Sequence, residues 1–183
     1  MGITLFQKGG PNNGVAAHSM FLGGCNRGGL GLGLGMTYLR FKAGGDWYAI
    51  AAQAVTAVVP AAPLRACPGA PDWVAGLLPY QGGAVPVADL TRRLTGTASL
   101  SRLSTRILLV AHPRPGGGFV LFGLMAEGVT DTIECAPSSF SVPSPGTASS
   151  PWLGPLAPLN DGLVQLIRPE RVLSAELEAV LFG

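Results

Sequence analysis

Residues 80–90 read YQGGAVPVADL, and the run fits no simple element. Two glycines lie near its start, Pro86 interrupts an apolar, β-branched stretch, and Asp89 follows almost at once. Gly82 and Gly83 suit a tight turn, after which residues 84–90 read as an outgoing strand. Proline has no N–H to give to a ladder, so Pro86 must sit at a sheet edge or where pairing is broken. Such places are open to partners.

Outward from this stretch the signals are short and mostly β. YLRFK (38–42) alternates apolar and basic residues, the period of a half-buried strand, and WYAI (47–50) resumes after an AGGD turn, so 38–50 reads as a hairpin. VTAVV (55–59) is a further strand, and residues 60–72, with four prolines, form an extended loop. PDWVAGLL (71–78) could begin a helical turn that Gly76 ends. TRILLVA (105–111) is a buried strand. HPRPGGG (112–118) is a hairpin loop with His112 facing water, and FVLFGLMA (119–126) and GVTDTIEC (128–135) continue as strands. The charge-free span 135–160, with six prolines, reads mostly as loop, and GLVQLI (162–167) as a last strand. RPERVLSAELEAVLF (168–182) predicts one helix, with Pro169 at its first position and Val172, Leu173, Leu177, Val180 and Leu181 on one face. Short strands, Gly/Pro turns and one terminal helix indicate an all-β barrel or sandwich.

The chain has 183 residues, enough for one domain with a real core. Hydrophobic residues make up 48% and charged ones only 12%, with mean hydropathy +0.39. Net charge is +2 and the one adjacent basic pair is Arg92-Arg93, so no basic stripe invites nucleic acid. The 18 uncharged residues from Trp47 to Leu64 approach a membrane span in length, but Gln53, Thr56, Pro60 and Pro63 favour two short strands and a turn. Residues 1–36 hold 11 of the 27 glycines, no acid, and the run GGLGLGLG (28–35). They read as a disordered leader, with Met36 as a possible natural start, and the folded domain as 37–183. The leader lacks an apolar signal-peptide core, and its glycines miss the G-x-G-x-x-G spacing. Cys25, Cys67 and Cys135 are far apart in sequence, without zinc spacing, and read as reduced thiols.

A search for chemistry finds little. G-x-S-x-G and H-E-x-x-H are absent, and neither Lys8 nor Lys42 lies in a phosphate loop. Asp131-Thr132 is followed by Ile133 where an aspartyl-protease signature needs glycine. Asp89 and Asp131 could form a dyad only if the fold brought their carboxylates to about 3 Å. The plainer reading has Asp89 bonding turn amides and Asp131 on an exposed strand face. No enzyme activity, cofactor or metal is expected, and the function should be binding.

At GLLPYQGGAVPVADL (76–90) the chain resembles the CheW-like family, the coupling proteins of bacterial chemosensory arrays. Gly76, Gly82, Val85, Pro86, Val87, Asp89 and Leu90 match the family's signature. YLRFKAGGDWYAI resembles its opening hairpin, Val55-x-x-Val58 its next strand, FGLMAEGV a later barrel strand, and DGLVQLIRPERVL its closing strand and helix. The resemblance implies two intertwined SH3-like five-stranded β-barrels with a short C-terminal helix and a hydrophobic groove between the barrels. It further implies a non-catalytic cytoplasmic adaptor, associated with membrane-bound receptor arrays but not itself inserted in the membrane. Its partners would be the cytoplasmic tip of a chemoreceptor and the regulatory domain of a histidine kinase. Carried over residue by residue, Val55 and Val58 would face a partner, Gly76 and Gly82 would shape the turn, and Tyr80 and Gln81 would lie at its tip. For each valine, barrel core is the alternative, because register is needed to assign a strand's faces. The family's Asn is Pro79 here, its Arg is Gln81, a common acid is Ala57 and a common Asp is Arg168. Two other readings stay open: an unrelated barrel that binds a small apolar ligand in a closed pocket, and a hydrolase using the two aspartates.

Overall fold

The computed structural model describes residues 26–27, 35–114, 117–144 and 149–182. Of the expected leader, only residues 26–27 and 35–36 fall among these, and Asn26–Arg27 (β1) pairs with the end of a long strand further on.

The strands that follow are β2 (Met36–Ala43), β3 (Asp46–Ala51), β4 (Val55–Pro60), β5 (Val74–Tyr80) and β6 (Gly83–Asp89). A short helix α1 (Leu90–Thr95) leads to β7 (Arg106–Pro113) and β8 (Phe119–Cys135), then β9 (Leu153–Leu159), β10 (Gly162–Ile167) and helix α2 (Ala175–Phe182). The segment from Trp47 to Leu64 is strand, turn and strand, as its prolines and polar residues require.

Strand β8 organises the molecule. Its 17 residues span about 57 Å at the usual strand rise, long enough to serve two sheets. Up to Ala126 it pairs with β7, and with β6 through Gly123–Met125; from Glu127 onward it pairs with β2. Gly128 sits at this handover with φ +57. The two apolar runs 119–126 and 128–135 are therefore one strand that changes partners where the sequence pattern breaks.

One barrel comprises the second half of β8 with β2, β3, β10 and β9, and closes through a bridge between Val142 and Leu156. The other comprises the first half of β8 with β7, β4, β6 and β5, and closes where Arg65 and Leu77 exchange backbone hydrogen bonds of 2.9 and 2.8 Å. These are the two interlocked five-stranded barrels that the family resemblance implies.

Each barrel has its own core: Tyr38, Ala49, Ile133 and Val164 in the first, and Leu78, Val85, Val87, Ile107 and Leu109 in the second. The largest cluster joins them, with Phe41, Tyr48 and Ile50 from the first barrel packed against Leu108, Val110, Phe122 and Leu124 from the second. Trp152, Val172 and Leu177 complete it. Alternate residues of β7 thus serve different cores, with Ile107 and Leu109 inside the barrel and Leu108 and Val110 between barrels.

Several expectations need correction. Residues 71–74 close one hydrogen-bonded turn, Val74 amide to Pro71 carbonyl at 2.8 Å, but no helical segment runs on to Gly76; Val74 starts β5, and Gly76 lies inside that strand at a register shift. The proline-rich span contains β9, whose Pro155 and Pro158 did not prevent a strand next to β10. The terminal helix begins at Ala175, after a 3-10 turn at Pro169–Arg171, and Val180 is exposed. Cys135 is disulfide-bonded rather than reduced, and Cys67 is free. His112 is buried on β7, next in alternation after Leu108 and Val110, and its Nε2 meets the Glu178 carboxylate of α2. Arg40 is also buried: its guanidinium lies 3.6 Å from the Trp47 ring centre, and Nη2 donates to Asp161 at 2.7 Å.

Candidate functional site

All six residues singled out in the sequence belong to the second barrel, but its strands split them between inside and outside. On β4, Ala57 and Val59 turn into the barrel's own core, whereas Val55 packs against the cluster between the barrels. Val58 is 44% exposed, and Thr56 and Pro60 share its outward side. A register shift between Val55 and Ala57 sets Val55 opposite Val110 and Val58 opposite Leu108, so both valines lie on the side of β4 away from the barrel's own core, and only Val55 is covered there by the inter-barrel cluster. Over 55–60, β4 pairs with β7 alone among the described strands, which leaves its other edge unpaired and without a charge.

The β5–β6 hairpin carries the remaining four. Tyr80 pairs with Gly83, so the two-residue loop is Gln81–Gly82 rather than Gly82-Gly83. Their φ values are +48 and +80, the pattern of a type I′ turn, whose twist matches that of the flanking strands. Gln81 is the one non-glycine residue with positive φ among those described. Its Nε2 donates to the Tyr80 hydroxyl at 3.3 Å, and both Gln81 and Gly82 are exposed. Tyr80 itself is half-buried against Leu78 and Val85. The left-handed conformation costs an L-residue about 1–2 kcal/mol. Gln81→Gly should therefore raise stability by about 1 kcal/mol in urea unfolding; an unchanged or lower midpoint would show that the amide–phenol contact outweighs the strain.

Pro86 is buried in β6, opposite Leu77 of β5, and the parallel ladder with β8 starts only at Val87. The missing N–H thus falls where the second ladder has not begun. Asp89 is fully engaged as the cap of α1: Oδ1 accepts from the Arg92 amide at 3.0 Å and the Ser99 hydroxyl at 2.6 Å, and Oδ2 from the Ser99 amide at 2.8 Å. Asp131 is exposed on β8, and Asp89 pairs beside Met125 of the same strand, so the two carboxylates are separated by about 20 Å along it. That ends the dyad. Among the described residues no group of three His, Cys, Asp or Glu side chains could hold a metal, and no helix is long and apolar enough to cross a membrane.

Sequence reasoning missed Phe119, which starts β8 and is 74% exposed. It also missed Arg93 of α1, held between Trp73 and Trp152. Phe119 was assigned to a strand correctly, but its exposure depends on β8 beginning beyond the barrel's packed layer.

Two interlocked small barrels with an uncharged open edge define a β-barrel scaffold module of the kind that binds other proteins. The chain belongs to the CheW-like domain family, whose model matches residues 37–177. Among solved structures it is similar to the scaffolding protein TtCheW from Thermoanaerobacter tengcongensis, with a TM-score of 0.67 and 18% identity. That match covers 83% of this chain and 96% of the other. No curated protein matches the chain.

Proposed function

We propose that this protein is a cytoplasmic chemosensory adaptor that acts by binding alone, linking the cytoplasmic tip of a chemoreceptor to the regulatory domain of a histidine kinase. Membership in the CheW-like family supports an adaptor role. The observation that carries the finer reading is the open β4 edge, with Val58 outward on an uncharged face next to a barrel filled by its own side chains. A partner strand or helix laid there would bury apolar surface and satisfy the edge's free backbone groups. Val58, Gln81 and Gly82, with the Tyr80 ring, supply the contact; Val55, packed between the barrels, and Gly76, at the barrel's closure, support it. Asp89, the best acid candidate, is spent on capping, which supports a non-catalytic role.

Gln81 in place of the family's arginine replaces a charge-assisted hydrogen bond of ~1.5–3 kcal/mol with a neutral one of ~0.5–1.5 kcal/mol. One of the two contacts should therefore be weaker than the other. Calorimetric titration of the full chain against a kinase regulatory domain and a receptor-tip fragment, each separately, tests the reading. Micromolar binding to both is expected. Binding to the kinase domain alone would place the weakened contact at the receptor, and binding to neither would refute the adaptor role.

A further inference from the structure

A cleft of about 380 Å³ lies between the C-terminal helix and the start of β5, lined by Pro71, Trp73, Arg93, Ser174, Leu177 and Val180, with Gly69 at its edge. The polar side-chain groups among its lining residues are the Arg93 guanidinium and the Ser174 hydroxyl, and the hydroxyl already accepts from the Leu177 amide at 3.4 Å. Arg93 is held firmly. Its guanidinium carbon lies 4.0 Å from the Trp73 ring centre and 4.9 Å from that of Trp152, and Nη1 donates to the Val172 carbonyl at 2.7 Å. The guanidinium has five N–H donors, and this is the one hydrogen bond it makes among the described residues. No described carboxylate lies within ion-pair distance of it, whereas buried Arg40 has Asp161.

A guanidinium fixed between two indoles has already lost its side-chain freedom and part of its water. Burial pulls the Arg93 pKa down to about 10. An arriving anion would restore what burial has removed. A single planar cation at the base of apolar walls suits a planar monoanion on a short hydrocarbon stem, since a carboxylate can accept two parallel N–H bonds. A phosphate dianion would call for more than one cation. The volume falls within the range of small-ligand pockets.

We infer that this cleft is a carboxylate-binding site, with Arg93 as the anion receptor and Trp73, Leu177 and Val180 holding the stem. The site stands on its own geometry and does not depend on the adaptor reading. The carboxylate comes either from a free organic acid or from a glutamate side chain presented by a protein partner.

The test uses the full chain, ¹⁵N-labelled, and follows the Arg93 Nε–H resonance together with tryptophan fluorescence. Butyrate is titrated against its neutral isostere butyramide, and the blocked peptide Ac-Ala-Glu-Ala-amide against its glutamine counterpart. Saturable shifts with butyrate and the glutamate peptide, at least tenfold weaker for both neutral partners, are expected. Tenfold tighter binding of the peptide than of butyrate would assign the carboxylate to a protein partner, and equal or weaker binding to a free acid; either supports the site. Arg93→Lys keeps the charge but loses the fork and should weaken binding at least tenfold. The comparison of charged and neutral ligands on the unmodified chain holds even if that variant fails to fold. Equal responses to acid and amide, or no saturable shift, would overturn the inference.

Discussion

Replacing Gly76 by alanine should destabilise the protein by about 3 kcal/mol or more, enough to remove much of a typical domain's stability. Gly76 has φ +141, a conformation L-residues rarely adopt, and a Cβ built on it would lie 2.3 Å from the Arg65 carbonyl oxygen and 3.0 Å from the Leu64 Cβ. The obstacle is backbone, so a side-chain rotation cannot relieve it. That carbonyl accepts the Leu77 amide at 2.8 Å in the bridge that closes the second barrel. Alanine must therefore break the bridge or force the backbone out of its bulge, and either step opens the barrel. Urea unfolding of Gly76→Ala beside Gly82→Ala checks this. Gly82 has φ +80 but nothing within 4 Å of its would-be Cβ, so its alanine should cost only about 1–2 kcal/mol. Equal midpoints for the two variants would mean that closure through Arg65 contributes nothing to stability.

An aspartate at Val58 should weaken binding to a kinase regulatory domain at least a hundredfold, about 2.7 kcal/mol, while leaving the fold intact. Val58 is outward, and its charge stays hydrated in the free protein, so stability should change by no more than about 0.5 kcal/mol. In a complex the same charge would be buried without a partner. Val55→Asp should do the reverse and destabilise the free protein by several kcal/mol, because Val55 packs into the cluster between the barrels. Calorimetry and urea unfolding on both variants separate the two roles. Undiminished binding by Val58→Asp would remove the β4 edge from the interface.

Much of the local structure is legible in the residues. The hairpin of β2 and β3, the edges of β4 and β10, and the bonding of nearby amides by Asp89 follow from period-two alternation, proline and the short acceptor side chain of aspartate. Parity alone would have placed His112 on the buried side of Leu108 and Val110, but it does not separate Val58 from Val55, because a register shift lies between them and only coverage by the other barrel tells them apart. Helix α1 was missed despite a capping aspartate and Gly96 in the left-handed C-cap, because its six residues are too few to show a helical period. β9 was missed because Pro155 and Pro158 read as breakers, which a strand can accommodate when its second side is met only at Leu156, between them.

By itself, then, the sequence determined most of the strands, an all-β barrel or sandwich, and the family signature from whose resemblance the paired barrels were implied, since these rest on neighbours along the chain. Only the tertiary structure decided that two apolar runs form one strand shared by both barrels, that Gly76 lies under the Arg65 carbonyl, and that Arg93 stacks between Trp73 and Trp152. Each of these brings together residues far apart in the chain. No periodicity encodes such contacts; they follow from the order in which strands pair and the space their side chains leave.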